Sequence, residues 1–315
     1  MRRIKSLSKK IFHKLFVSLQ RTGFNILPLH FYSQIPDINS LRKEDYWRKE
    51  MSLKGVYMET LDTQVNEVKK IIEKYPEVLS ERNIHKEAIT MNGEDGGFGT
   101  IEAEFLYCFI RNKMPQKIIQ VGCGVSTAII LMAAADEGYS PKLICIEPYP
   151  TGFLRKLHSE NKILLIKELA QKVDIEVFNS ISSNDLFFID STHTVKPGSE
   201  VNRIILEILP TLAKNVWVHF HDIYFPYDYR RDLLSADIFF WNESTLLHAF
   251  LINNAQFKIC ICQSYIHYKI PEKLQLFFPH YIPQENSDGL RKNSKGRHFP
   301  CSIYLRTTDN TENSK

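Results

Sequence analysis

Apolar and polar positions change their spacing several times along the chain, and each change predicts an element. Between residues 4 and 19, Ile4, Leu7, Ile11, Leu15 and Leu19 recur every three or four positions, the spacing of one helix face, with Lys and Arg on the other. Residues 60–75 repeat the pattern with Leu61, Val65, Val68 and Ile72 and predict a second helix. The aromatic run 30–47 contains Pro36 and reads as an extended segment feeding a short helix. Residues 92–100 hold four glycines in nine positions, which predicts a flexible loop, and it leads into a helix over 101–111.

From residue 117 short continuous apolar runs take over, at 118–121, 143–146, 175–178, 186–189 and 216–220. Helix-like stretches such as 127–135 and 201–209, the latter stopped by Pro210, separate them. Buried strands alternating with helices predict an open α/β sheet, mostly parallel. Two later runs, 257–262 and 302–306, read as a sixth strand and a last one. Between them, 271–299 is loop-rich, with turn signals at Pro271, Pro279, Pro283, Gly289 and Gly296.

Composition narrows the class. The chain has 315 residues, 43% hydrophobic and 12% aromatic, enough for one large domain or two modest ones and too core-forming for general disorder. No apolar run approaches the roughly 20 residues of a membrane-spanning helix. The net charge of +4 conceals an asymmetry. Residues 1–36 carry seven bases (Arg2, Arg3, Lys5, Lys9, Lys10, Lys14 and Arg21) and no acid, which leaves 33 bases against 36 acids elsewhere. A body that is net acidic offers no broad phosphate-binding surface, so nucleic acid is a poor partner. A basic amphipathic arm, 1–27, is expected either to dock on the body or a second subunit, or to rest through 1–22 on an anionic membrane. His13 and Lys14 interrupt what would be the apolar core of a secretory signal. The six cysteines form no CxxC pair, and a reduced, cytoplasmic protein is expected, peripheral at the inner membrane face if the arm binds lipid. Cys260 and Cys262, two apart in a strand, are expected on one face.

The chemistry gathers at strand ends. The run 118–121 passes directly into Gly122-x-Gly124, a turn that lets backbone approach a ligand and aims helix N–H groups at it. The second strand ends at Glu147, where a carboxylate can hold a ribose diol; the fourth ends at Asp190, and the fifth at His221-Asp222. The third glycine of the dinucleotide fingerprint is missing, which disfavours a nicotinamide oxidoreductase. A non-catalytic binding or assembly module on the same fold is the alternative of a different class.

The segments FGTIEAEFLY (98–107), IIQVGCGVST (118–127), ICIEPYP (144–150), LFFIDSTHTVKPGSEVN (186–202), VWVHFHDIYFPYDYR (216–230) and WNESTLLHAFLINN (241–254) resemble those of class I S-adenosylmethionine-dependent methyltransferases, in particular the bacterial methyltransferase family 24. The resemblance implies a Rossmann-like seven-stranded sheet with an antiparallel last strand and helices on both faces, preceded by an N-terminal helical extension. It implies the divisions 1–27 (arm), 28–97 (helical and extended segment), 98–306 (methyltransferase domain) and 307–315 (disordered tail). It implies cofactor contacts at Gln120, Gly122, Gly124, Ser126, Glu147, Pro148, Ser180, Ile181 and Asp190, with the loop around Ser180–Asn184 flanking the adenine. One departure is visible: Gln120 stands where the family usually carries an acid.

The expected reaction is O-methylation of a sugar, glycan or other small hydroxyl acceptor, a polysaccharide modification among them. A hydroxyl must lose its proton as it attacks. Two mechanisms are open. In the first, favoured at this stage, His193 or His221 is the base and Asp190 orients it. In the second, Asp190, His221 and Asp222 hold a divalent metal that lowers the hydroxyl's pKa. His219 is expected to be a core residue. Tyr224, Tyr227 and Tyr229 are expected to line an acceptor groove, and a homo-oligomer is compatible with the 224–254 insert.

Overall fold

Seven strands form one sheet: β1 (Lys117–Val121), β2 (Lys142–Ile146), β3 (Leu164–Ile166), β4 (Leu186–Ile189), β5 (Trp217–Phe220), β6 (Phe257–Cys262) and β7 (Ile303–Thr307). Their order is β3-β2-β1-β4-β5-β7-β6. β1 to β5 run parallel, and β7 enters antiparallel between β5 and β6. The computed structural model describes residues 2–94, 96–231, 233–234, 239–279, 281 and 300–308, with side chains from residue 10 onward. Two compact units are distinguished, Met1–Lys49 and Glu50–Lys315.

In the first unit the predicted helices are present as Arg2–Gln20 and Ile38–Lys43, the latter capped by Asp37, which accepts from the Asn39 N–H. The second unit holds the sheet and also residues 50–97.

Period-two alternation assigns each strand residue to one of two cores. On one face Ile118, Leu143, Phe188 and Tyr304 pack against the helices Leu61–Ile72, Thr100–Lys113 and Val125–Asp136. On the other, Ile119, Val121, Phe187, Ile189 and Phe220 pack against the helical run 200–211 and the helix Glu243–Leu251. Helices therefore cover both faces, which is why the strands read as largely apolar runs. The open edge of β6 is covered by residues 56–59: the Ile259 N–H donates to Tyr57 O, and the Glu59 N–H to Ile259 O, both at 2.9 Å.

Several expectations are corrected. Residues 175–178 are not the third strand but part of a short helix, Ile175–Asn179. Asp174 caps it, accepting from the Glu176 N–H, and only Phe178 of the run is buried. The true third strand, Leu164–Ile166, pairs with β2 alone and lies within the apolar run 163–166. Within 271–299, Pro271–Phe277 is helical with Pro271 in the first turn, where its missing N–H costs nothing. Pro283, Gly289 and Gly296 lie outside the described residues, as does the tail from 309; β7 itself runs to Thr307. Cys260 and Cys262 face opposite cores, because a bulge between Ile259 and Ile261 breaks the alternation of β6.

Candidate active site

The carboxyl ends of β1, β2, β4 and β5 lie side by side, so the residues that follow them meet along one edge of the sheet. Two cavities open there. The larger, about 510 Å³, is lined by Gly122–Ser126, Glu147, Asp190–His193 and His221-Asp222, with Tyr224, Arg230 and Trp241 beyond. The smaller, about 270 Å³, lies between Glu147–Tyr149 and Leu169–Gln171. Gly122, Glu147 and Asp190–Thr192 border both, so the two are continuous.

The glycine turn is shaped by its neighbours. Gly122 has φ +77°, and a Cβ there would lie 1.6 Å from the carbonyl oxygen of Asp190. Only glycine lets β1 and β4 end this close together. Glu147 is held against the same turn: its Oε2 accepts from the Cys123 N–H (3.2 Å) and its Oε1 from the Tyr149 N–H (2.9 Å).

Gln120, expected to touch a cofactor, does not reach either cavity. Its position in β1 points toward the helix Val125–Asp136, where it is fully buried. Its Nε2 donates to Ser126 Oγ (2.6 Å), and its Oε1 accepts from Thr127 Oγ1 (2.8 Å). A buried amide with both ends satisfied is a fastener between strand and helix. It thereby sets Ser126, which does line the larger cavity.

Ser180 and Ile181 are also corrected. They precede β4 and so lie at the amino end of the sheet, where Ser180 O accepts from the Lys117 ammonium at the start of β1. Ile181 is part of the core. Taking 175–178 as a strand had moved the expected adenine loop. After the true third strand, Leu169–Gln171 line the smaller cavity together with Pro148.

In the larger cavity two histidines and two aspartates alternate. His193 Nε2 lies 3.4 Å from both Asp190 Oδ1 and Asp222 Oδ2, and His221 Nδ1 lies 3.5 Å from the same two oxygens. Ligand atoms of Asp190, His193 and His221 lie within 4.8 Å of one another. That set includes His193 beside the expected Asp190 and His221; Asp222, at the same distances from the two histidines, also accepts from Cys301 Sγ (3.2 Å). His193 and Asp222 both have left-handed backbones, φ +56° and +55°. Such conformations cost about 1–3 kcal/mol each and persist where surrounding structure enforces them.

The enforcement comes from two buried glutamates that the sequence reading assigned no role. Glu243 lies 2.8 Å from His193 Nδ1, while the N–H groups of Asn242 and Glu243 donate to the His193 carbonyl. Glu102, in the helix Thr100–Lys113, lies 3.2 Å from His221 Nε2. It also accepts from the Cys301 N–H (2.9 Å) and Ser302 Oγ (2.8 Å) at the start of β7. Phe98 stacks on the His221 ring at 4.8 Å. Each imidazole is thus fixed from behind by a carboxylate and presents its other nitrogen to the cavity.

The electrostatics follow. Burial disfavours charge on His193, but Asp190 and Glu243 outweigh it and push its pKa up to about 10. Burial is likewise outweighed at His221, chiefly by Glu102, and its pKa rises well above the ordinary value. The histidine charges hold Asp190 and Asp222 below the usual carboxylate range against burial. So held, His193 is a donor at neutral pH, and the base role expected of it requires that its proton be displaced. His219 differs. Burial and the charge of His221 lower its pKa to about 3, and it stacks on Phe188 at 4.1 Å as a core residue. Of the three tyrosines only Tyr224 lines the cavity; Tyr227 packs on Tyr268.

Residues 119–223, from the third residue of β1 to just past β5, match the family model described as a methyltransferase domain. An uncharacterized protein of Archaeoglobus fulgidus is 26% identical over 185 residues, covering 56% of this chain and 80% of the relative. The chain is also similar to the structure of an SAH-bound methyltransferase of Podospora anserina, PaMTH1 (TM-score 0.40, 14% identity, 91% of this chain and all of the other). It is similar as well to the plantazolicin methyltransferase BamL in complex with a triazolic desmethylPZN analog and SAH (TM-score 0.41, 13% identity, 79% of this chain and all of the other).

Proposed function

We propose that the methyltransferase domain of residues 119–223 takes S-adenosylmethionine as its methyl donor and methylates a hydroxyl of a small, sugar-like acceptor. One observation carries the reading: a cluster of acid–base groups stands in the same cavity as a glycine turn and a diol-holding carboxylate. The donor supplies a methyl group on a sulfonium, already electrophilic. What remains for the protein is to align an acceptor oxygen and take up its proton.

The two joined cavities suit the donor's shape. In the smaller one, Gln171 Oε1 is buried without a hydrogen-bond partner among the described residues, where an exocyclic amine of a purine would satisfy it. Glu147 is placed for the ribose hydroxyls. The opening turn of the helix Val125–Asp136, with its unbonded N–H groups, suits a carboxylate tail. On the acceptor side Trp241 and Tyr224 offer aromatic faces to a sugar ring. A nicotinamide reading gains nothing from this cavity, which has no third glycine at its turn.

Calorimetry with S-adenosylhomocysteine tests the donor. Binding should weaken about 10- to 100-fold in Glu147→Ala, the worth of one charge-assisted pair of hydrogen bonds. Failure of the well-folded wild-type protein to bind at all would remove the reading.

A divalent cation at Asp190, His193 and His221 is a second reading, favoured by their convergence and by the glutamates behind both imidazoles. The donor set fits. Two imidazoles among carboxylates suit Mn²⁺, Fe²⁺ or Zn²⁺ better than Mg²⁺. Bound there, the cation would displace the histidine protons and acidify a hydroxyl at the site. Equilibrium dialysis of chelator-treated protein against Mn²⁺ or Zn²⁺ measures this apart from turnover. Glu243→Gln should reduce affinity about 10- to 100-fold; equal affinity in wild type and His193→Ala would exclude the site.

A further inference from the structure

We propose that residues 10–36 form an anionic-lipid anchor, in which a basic helix lies at the bilayer surface and an aromatic turn enters it. The inference does not depend on the reading of the catalytic cavity.

Three observations on the first unit converge. Residues 10–36 hold three bases, Lys10, Lys14 and Arg21, and no acid, and the residues before them in the chain add four more bases, whereas the rest of the chain has more acids than bases. Ile11 and Leu15, one turn apart, are exposed rather than covered. The connection that follows is apolar and open to solvent: Phe24, Ile26, Leu27 and Leu29 are exposed, and Phe31 and Tyr32 reach 92% and 83%. Isolated exposed apolar residues need no explanation, but a contiguous run beside a one-signed helix does.

The aromatic tip is a built turn. The Ser33 N–H donates to His30 O (2.8 Å), and the His30 N–H donates to Ser33 Oγ (2.8 Å). Ser33 Oγ in turn donates to Pro28 O (3.1 Å), and the Tyr32 N–H to His30 Nδ1 (3.1 Å). At the helix end Thr22 Oγ1 donates to Leu19 O (2.8 Å). The N–H groups of His30, Tyr32 and Ser33 are satisfied within the tip, which lowers the penalty for their leaving water at the headgroup and acyl boundary. The rings of Phe31 and Tyr32 meet edge to face at 5.2 Å, presenting one apolar prong with a phenolic tip. Tyrosine suits that boundary because its ring is apolar and its hydroxyl is not. The charge selects the lipid. A surface rich in phosphate headgroups complements an extended cationic stretch better than a protein surface of mixed sign. No described helix is long and apolar enough to cross a membrane, so the contact is interfacial.

The test uses the full chain floated with vesicles of phosphatidylcholine, with and without phosphatidylglycerol, at low and high salt. Binding should require phosphatidylglycerol and fall with salt. The double substitution Lys10→Glu with Lys14→Glu should weaken it at least about twentyfold, since each basic charge near such a surface is worth roughly fivefold. Phe31→Ser with Tyr32→Ser should weaken it about tenfold or more, with the melting temperature unchanged. Equal binding to neutral vesicles, no binding to either, or unchanged binding in both double variants would overturn the proposal. So would a shift from dimer to monomer in the aromatic variant without vesicle binding, which would assign the segment to a second copy of the chain.

Discussion

Gly122→Ala should abolish S-adenosylhomocysteine binding and lower the melting temperature on the order of 10 °C. The added methyl would stand 1.6 Å from Asp190 O, and the obstacle is backbone rather than a movable side-chain tip. The φ of +77° adds a penalty of about 1 kcal/mol for any residue with a Cβ. The strands cannot separate freely, because the Gly122 N–H donates to Ile146 O on one side and the Asp190 N–H donates to Val121 O on the other. Relief therefore comes from displacing the end of β4. A cost of about 3–5 kcal/mol is expected, from overpacking and backbone strain together. Displacement of Asp190 would also disturb its 3.4–3.5 Å spacing to His193 and His221, so metal affinity and donor affinity should fall together. Calorimetry and thermal melting on one preparation check this. A variant that melts like wild type and binds normally would show that the turn has more room than its geometry indicates.

Glu102→Ala should cost about 3–5 kcal/mol, the usual penalty for removing one partner of a buried charged network. The substitution leaves the Cys301 N–H, Ser302 Oγ and His221 Nε2 without the carboxylate that holds them. Glu102→Gln keeps the shape and can still accept one of these bonds, so it should lose less stability. His221 would lose the charge at its Nε2 while keeping Asp190 and Asp222 at its Nδ1, which separates the electrostatic role of Glu102 from its packing one. Chemical denaturation of the three proteins measures both effects. Equal stability of wild type and Glu102→Ala would mean that the network contributes nothing.

The legible part of this molecule was what is local. Apolar runs of four or five residues, interrupted by Gln120 in β1 and His219 in β5, revealed β1, β2, β4 and β5, because parallel strands covered on both faces carry few polar positions to blur the run. Their terminal residues Gly122, Glu147, Asp190, His221 and Asp222 were legible for the same reason, each being the first polar or turn residue after a run. β3 lies within the apolar run 163–166, yet the alternating stretch 175–178, a helix, took its place, which carried Ser180 and Ile181 to the wrong end of the sheet. Gln120 was expected to touch the cofactor, yet it turns to the helix side of β1 and bonds Ser126 and Thr127 instead. Glu102 and Glu243 could not be paired with their histidines, because the pairs are 119 and 50 residues apart. A trace was present: Glu102 and Glu104 are the charges in the buried stretch 101–110 of their helix, and a charge there needs a buried partner.

β7 threads between β5 and β6, and the residues just before it bind Glu102 across about 200 positions of chain. That separation imposes an order of assembly. Contacts so distant in sequence form late, because the loop they close must lose its freedom before they repay it. The parallel strands β1 to β5, with Glu147 and Leu169–Gln171, can come together before β7 inserts; the braced His221 cannot. A folding chain should thus acquire its nucleoside-shaped recess first and its charged cluster last. Refolding followed by two probes, nucleoside binding and metal uptake, should show competence arriving in those two stages.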